Sequence, residues 1–180
     1  AIMGEGTAAN WDTYALSLYA FQNNGVIVRA AGNDISQAEV GGMAEMPLYY
    51  TFLNKAWLNV GNLAVNGSDA TASTVVRLGN PCGQTAPFCI FVDGYGITSN
   101  AGNAWGYRTY DGSSMAAPIV SGGVALLAEA FPNHTPEQLV DRIIATADNS
   151  FFTSDGALTF GNGITHAYSS EYGHGILDLY

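Results

Sequence analysis

The stretch "DGSSMAAPIVSGG", Asp111–Gly123, is the most informative part of this chain, because a turn of small residues runs there directly into an apolar helix. A serine at the start of a helix is most often a cap, since its side-chain oxygen accepts a proton from an unpaired backbone amide. The same position also suits a nucleophile, because the helix dipole and the free N–H groups stabilise developing negative charge. Taken alone, the stretch leaves both interpretations open for Ser113 and Ser114.

The segments before this helix predict an α/β fold. Residues 10–25, "NWDTYALSLYAFQNNG", are predicted to form a helix capped by Asn10 or Asp12, and the run "VIVRAAG" at 26–32 a buried strand. A helix, a tight glycine turn and a buried strand in this order are typical of a crossover in a parallel sheet. Two further strands are predicted at 56–65 and 89–96.

The segments after the serines predict one more helix and an irregular tail. The helix has a strong start signal, with Thr135 as its cap, Pro136 at the first helical position and Gln138 three residues after the cap. The tail at 149–180 is rich in glycine, serine and tyrosine and is predicted to form a hairpin or an irregular cover. No repeat or linker divides the chain, so a single domain over residues 1–180 is predicted.

Composition excludes several classes of function. Apolar residues make up 48% of the 180 residues and charged residues 11%, which argues against disorder. Fifteen acidic and five basic residues give a formal charge of −10, so the chain would be repelled by nucleic acid and by anionic membranes. No run of eighteen apolar residues occurs, so no transmembrane helix and no membrane contact are expected.

Cys82 and Cys89 are the only cysteines, in "CGQTAPFC". A disulfide is predicted, and the alternatives are two free buried thiols or half of a metal site. No further cysteine completes a zinc set, and His134, His166 and His174 show no ligand spacing, so no metal ligand is assigned. A disulfide favours an oxidising location, which is secreted, cell-surface or periplasmic.

Two motifs resemble those of the subtilisin-like serine peptidases, or subtilases. "GSSMAAPIVSG" is similar to their signature Gly-Thr-Ser-Met-Ala-x-Pro-His-Val-x-Gly, with Ser113 in place of threonine and Ile119 in place of histidine. The nucleophile of that signature corresponds to Ser114. "VIVRAAGND" resembles the strand ending Ala-Ala-Gly-Asn, whose asparagine helps hold the oxyanion, and this role would fall on Asn33. A carboxamide donor of that kind contributes about 3 kcal/mol.

The resemblance also implies a fold and a substrate site. The fold would be α/β, with three layers around a mostly parallel sheet, represented by its C-terminal portion. The segment "AIMGEG" lies where the family has a substrate-binding strand, so one wall of a specificity pocket would contain Met3, Gly4 and Glu5. The other wall would contain Ala30, Ala31 and Gly32. The alternative is an ordinary frayed N-terminus for residues 1–6 and an ordinary strand end for residues 30–32.

Two residues of the family's catalytic triad have no counterpart in this chain. The family's aspartate and histidine motifs precede the region matched here, and neither occurs in the 180 residues. The sequence also begins without an initiator methionine or a signal peptide. Both observations suggest that the chain is the C-terminal part of a serine endopeptidase, which acts on peptides or proteins. The N-terminal half of that enzyme would carry the aspartate and the histidine. The chain alone would be inactive. The alternatives are a non-catalytic relative that binds peptides or other partners, and a small α/β binding domain that matches by chance.

Two narrower expectations concern the cysteine pair and calcium. The paired cysteines resemble those of subtilases carried as passengers by Gram-negative autotransporters. No cofactor is expected, although subtilases often bind calcium and the complete domain could do so. The carboxylates of this chain show no loop with calcium-ligand spacing.

Overall fold

The structure is a computed structural model that describes residues 8–100, 102 and 106–180. Met3, Gly4 and Glu5, predicted to line one pocket wall, lie outside the described residues. The helices are α1 Ala8–Phe21, α2 Met46–Tyr49, α3 Ser113–Ala130 and α4 Pro136–Thr146. The strands are β1 Ile27–Ala30, β2 Trp57–Val65, β3 Val75–Arg77, β4 Cys89–Asp93, β5 Ile97–Asn100, β6 Tyr107–Tyr110, β7 Gly156–Thr159 and β8 Thr165–Tyr168. The 3-10 helices are Gly42–Glu45, Thr51–Ala56 and Gly83–Phe88.

Strand β2 is the centre of the main sheet. β1 pairs with one of its edges and β4 with the other, both in parallel, so that Val60 lies opposite Ala30 on one side and Ile90 on the other. β3 pairs antiparallel with the last residues of β2. No strand of the described ranges pairs with the outer edge of β1. The sheet is therefore mainly parallel, as predicted.

Helices cover both faces of this sheet. Side chains alternate along β2, so Leu58 and Val60 pack against α3 and α4 on one face. Trp57 of β2 and Ile27 of β1 pack against α1 and α2 on the opposite face. The predicted α/β fold with three layers around a mostly parallel sheet is thereby confirmed.

Helix α1 begins earlier than predicted. It starts at Ala8, so Asn10 and Asp12 lie inside it and the prediction that either of them caps it is wrong. Asp12 ties α1 to the segment before β2 instead, because its Oδ1 accepts a 2.8 Å hydrogen bond from the Tyr50 hydroxyl. Several apolar side chains of α1 do not face the sheet, for example Leu16, which is 60% exposed. The pattern of apolar residues therefore did not indicate the first residue of the helix.

Helix α3 is apolar, and much of its surface is open. Ala116 and Val120 face the sheet, whereas Leu126 is 61% exposed, and Glu129 is the only charged residue between Ser113 and Ala130. In the described part of the chain, α3 alone is long and apolar enough to cross a membrane by length and composition, a test that core helices of soluble proteins also pass. The absence of membrane contact stays a prediction.

Helix α4 has the predicted start. Thr135 Oγ1 accepts from the backbone N–H of Gln138, and Gln138 Oε1 accepts from the backbone N–H of Thr135, which is a complete capping box. Pro136 occupies the first helical position. The buried side of α4 packs on α3 and β2 through residues such as Ile143. The sequence signals were strong here because all of them are local.

The tail forms the predicted hairpin, from β7 and β8, and then returns to the main sheet. Ile176 bridges to Phe91 of β4. Cys82 and Cys89 form a disulfide with a Cα–Cα distance of 6.0 Å, so the predicted pairing is confirmed over free thiols or a metal site. The tail packs directly on this disulfide, because the backbone N–H of His174 donates to Cys89 O at 2.9 Å.

His174 is buried and serves the packing of the tail. It has no exposed surface, its Nε2 lies 3.2 Å from Pro87 O, and its Nδ1 lies 3.0 Å from His166 Nδ1. Burial, and then the charge of His166, lowers the pKa of His174 to about 4. His174 is therefore neutral at pH 7, in agreement with a structural role.

We expect this buried histidine to make the fold sensitive to acid. The unfolded chain binds the proton with an ordinary pKa of 6.5 and the folded chain with a pKa of about 4, so stability is complete above pH 6.5 and is lost as the pH falls toward 4. The full loss is about 3 kcal/mol. The measurement is the fall in Tm from pH 7 to pH 5 in wild type and in His174→Gln, each assembled with the N-terminal half that the resemblance implies. The variant should lose most of this fall, and a His134→Gln control should retain it. An equal fall in all three proteins would contradict the assignment.

Candidate active site

The start of α3 lies against the carboxyl end of β1. Gly112 is the N-cap residue, has φ +141°, and has no side chain that could accept a hydrogen bond from the helix. A Cβ on Gly112 would lie 3.1 Å from Asn33 Oδ1, so the absence of a side chain lets the carboxamide approach the helix. Ser113 is buried and Ser114 is exposed. The interpretation of the serines as simple caps is therefore not what the structure shows.

The carboxamide of Asn33 is held by Ser113. Asn33 Oδ1 accepts the backbone N–H of Ser113 at 2.8 Å and the Ser113 hydroxyl at 2.9 Å. Ser113 Oγ also accepts the backbone N–H of Gly32 at 3.1 Å. Among the described residues Nδ2 makes no hydrogen bond, and a Cβ on Gly112 would lie 3.2 Å from it, so Nδ2 also lies close to the helix start. A free N–H donor thus lies beside the start of α3.

Ser114 lies in surroundings that can stabilise the negative charge formed during nucleophilic attack. Its side chain is exposed and sits in the first turn of an 18-residue helix, where the helix dipole and the backbone N–H of Ser114 favour negative charge. Asn33 approaches the same turn from the end of β1. An oxyanion formed on a carbonyl bonded to Ser114 would have both kinds of donor available.

No described histidine can serve Ser114 as a base. His134 follows the far end of α3, roughly 27 Å along the helix axis from the serines. His166 and His174 bond to each other and to the backbone oxygens of Ala147 and Pro87. Over residues 8–100, 102 and 106–180, no three histidine, cysteine or acidic side chains come together as a metal site.

The residues predicted to form the second pocket wall, Ala30, Ala31 and Gly32, lie at the carboxyl end of β1. Ala30 ends β1, and Ala31 is fully buried between two strands of backbone: its N–H donates to Val60 O and its O accepts from Gly41 N–H. Gly32 follows with φ +117°. The three small residues therefore lead directly into Asn33, and their role in binding substrate stays a prediction.

Asp34 is an ionised neighbour of Asn33 that the sequence analysis did not single out. The Ser36 hydroxyl, the Gln37 side-chain amide and the backbone N–H of Ser36 all donate to its carboxylate. In that order, these hydrogen bonds lower its pKa to about 2. A fixed negative charge therefore lies next to the Asn33 backbone at any physiological pH. The resemblance assigned a role to Asn33 and none to Asp34, and the only signal for Asp34 was the serine and the glutamine that follow it.

Two buried asparagines near the site were also missed. Asn62, on β2, accepts the backbone N–H of Gly94 at 2.9 Å, and Gly94 O in turn accepts the N–H of Gly112 at 3.3 Å. Asn80 bonds to the loop that carries Asn33. Each belongs to a stretch that is typical of a strand or a turn, so no local pattern marks either residue.

Comparison with known proteins agrees with this geometry. A family model described as Subtilase family matches residues 3–175. Subtilisin NAT of Bacillus subtilis subsp. natto is 33% identical over 143 residues, covering 76% of this chain and 33% of that protein. An extracellular serine protease of Serratia marcescens is 29% identical over 151 residues, covering 72% of this chain and 14% of that protein. The solved structure of Sphericase has a TM-score of 0.66 at 21% identity, covering 98% of this chain and 55% of that chain.

These matches cover most of this chain and only part of each relative. The chain spans a third or less of the length of the curated relatives it matches, and about half of the Sphericase chain. The structural likeness shows the shared fold, and the family model covers nearly every residue of this chain. The chain therefore belongs to the subtilase family of serine peptidases.

Proposed function

We propose that this chain is the C-terminal part of a serine endopeptidase in which Ser114 is the nucleophile and Asn33 an oxyanion donor. The observation that supports this most directly is the pair of hydrogen bonds from Ser113 to Asn33 Oδ1, because they leave Nδ2 free beside an exposed Ser114. The substrate would be a peptide or a protein, and the bond that breaks a peptide C–N bond.

The proposed reaction needs a histidine that this chain does not supply. Ser114 Oγ attacks the carbonyl carbon while its proton passes to that histidine, and the carbonyl π electrons move to the oxygen. Asn33 Nδ2 and the Ser114 backbone N–H donate to this oxyanion. The C–N bond then breaks, the amine takes the proton from the imidazolium, and water hydrolyses the ester by the reverse steps.

We infer that an N-terminal half carries this histidine and the aspartate that orients it. The described residues leave a matching surface open, which consists of the outer edge of β1 and the exposed apolar side chains of α1 and α3. These side chains include Leu16, Phe21 and Leu126. Sphericase is nearly twice the length of the part that this chain matches, which is the extra length such a half requires.

The substrate pocket and the location follow from the same proposal. Small residues at Ala30, Ala31 and Gly32 would leave room for a bulky or apolar substrate side chain. The Cys82–Cys89 disulfide and the similarity to an extracellular protease of Serratia marcescens support a secreted, cell-surface or periplasmic location. The narrower resemblance to autotransporter passengers stays a prediction, as does calcium binding by the complete domain.

A peptide-binding module without catalysis is the second candidate function. The observation that favours it is the lack of a base near Ser114 within the described ranges. The two candidates differ in one chemical property, because only a nucleophilic Ser114 forms a covalent bond with a fluorophosphonate.

Expression of the 180-residue chain with and without the proposed half tests this function. Alone, the chain is expected to aggregate, because its sheet edge and apolar helix faces are exposed. It should also remain unlabelled by a fluorophosphonate, because no histidine activates Ser114. With a half that carries the aspartate and histidine motifs, it should become soluble and be labelled at Ser114, as read by peptide mass spectrometry. A chain that is soluble alone, unfolds in two states and stays unlabelled with the added half would overturn the proposal in favour of a binding module.

A further inference from the structure

We propose that Asn80 is a positioning residue for the oxyanion donor Asn33, an inference that rests on the proposed function. Asn80 is only 4% exposed and lies in the turn between β3 and the disulfide loop. It bonds to the residues on both sides of Asn33 without touching the carboxamide itself. Its side chain and backbone therefore hold the main chain from which Asn33 extends.

Three hydrogen bonds define this contact. The backbone N–H of Asn80 donates to Gly32 O at 3.1 Å. Asn80 Oδ1 accepts the backbone N–H of Asp34 at 2.8 Å, and Nδ2 donates to Glu39 O at 2.8 Å. The side-chain amide is thus used at both ends, and its orientation is fixed by its partners.

The packing around Asn80 leaves little freedom to either partner. A Cβ on Gly32 would lie 2.4 Å from Asn80 Oδ1, and a Cβ on Gly79 would lie 2.4 Å from Gly32 O. Glycine at both positions lets the two backbone segments touch, and Gly32 with φ +117° turns the chain toward Asn33. The turn around Asn80 and the end of β1 therefore form one rigid contact.

Two independent restraints thus act on Asn33. Ser113 holds the Oδ1 end of the carboxamide from the helix, and Asn80 holds the backbone at Gly32 and Asp34. An oxyanion donor is effective only when it is already aimed at the position where charge develops, since reorientation during the reaction costs the stabilisation it supplies. Loss of Asn80 should therefore lower kcat and leave KM nearly unchanged.

The test is a double-mutant cycle in the chain assembled with its proposed half. Asn80→Ala is expected to lower kcat about 10- to 100-fold, less than the roughly 100- to 1,000-fold loss that follows removal of an oxyanion donor itself. In an Asn33→Ala background the same change should alter kcat less than about twofold, because Asn80 acts through Asn33. Equal losses of kcat in both backgrounds would overturn the proposal.

A matched control separates positioning from general destabilisation. Asn59 is also a buried asparagine with two side-chain hydrogen bonds, to Trp57 Nε1 and to Ala44 O, but it makes no hydrogen bond to residues 32–34. Asn59→Ala should lower Tm as much as Asn80→Ala does and leave kcat unchanged. A kcat loss that is the same in both variants would show that Asn80 has only a structural role.

A second readout does not depend on activity. The side-chain amide resonances of Asn33 in ¹⁵N-labelled protein should shift in Asn80→Ala and stay unchanged in Asn59→Ala. If wild type hydrolyses no peptide, the proposed function fails, and these resonances alone decide the positioning role. Unchanged Asn33 resonances in Asn80→Ala would overturn it.

Discussion

Replacement of Ser114 by alanine is expected to abolish fluorophosphonate labelling of the assembled protein and to lower kcat by about 10⁶-fold, the magnitude seen when the nucleophile of a subtilisin is removed. The reason is that Ser114 is the exposed hydroxyl of the first turn of α3, and Asn33 is aimed at the same turn. KM should change little, because the hydroxyl contributes to bond formation rather than to substrate binding. The measurements are active-site labelling followed by mass spectrometry, and peptide hydrolysis rates.

Two neighbouring serines supply the controls for this result. Ser113 is buried and bonded to Asn33, so Ser113→Ala should reduce kcat and still permit labelling. Ser121 lies two turns later and bonds to Ala117 O, so Ser121→Ala should behave like wild type. Labelling that survives in Ser114→Ala and disappears in Ser113→Ala would show that the nucleophile has been assigned to the wrong serine.

Replacement of Asn33 by alanine should lower kcat about 100- to 1,000-fold, through loss of an N–H donor to the oxyanion. The change should also lower Tm, because the backbone N–H and the hydroxyl of Ser113 both lose their acceptor. A drop in rate alone would therefore not separate the loss of the donor from disorder at the helix start.

Asn33→Asp distinguishes these two effects. A carboxylate still accepts both hydrogen bonds from Ser113, and its negative charge interacts favourably with the dipole at the start of α3. The Tm should therefore stay at or above that of wild type. It has no N–H to donate and places negative charge beside the oxyanion, so kcat should fall at least as far as in Asn33→Ala. Activity retained in Asn33→Asp would show that the Asn33 side chain does not hold the oxyanion.

The local parts of the fold were accessible from the sequence. The start of α4 was predicted because Thr135, Pro136 and Gln138 act within one turn. β2 was predicted because most of its residues are apolar, as is typical of a strand buried in a parallel sheet. The start of α1 was misplaced, since Asn10 and Asp12 are capping residue types that lie inside the helix, and Asp12 bonds to Tyr50 instead.

The sequence identified candidate site residues, and it did not identify the residues that hold them in place. Ser114 and Asn33 belong to motifs with a recognisable order of residues, and the structure brings the segments that carry them together. Asn80 and Asn62 act through backbone groups that are distant in sequence, so their contribution has no local pattern. A buried asparagine can be recognised as a brace only when its three-dimensional partners are known.

The open side of α3 has a consequence for the level of this chain in a cell. The eighteen residues of α3 carry one charge and expose apolar side chains such as Leu126, and chaperones and proteases act on chains that are not stably folded. The abundance of the unassembled chain would then be set by its rate of degradation rather than by its equilibrium stability. Co-expression with the proposed half would protect α3, and the amount of the half made would determine how much of this chain survives.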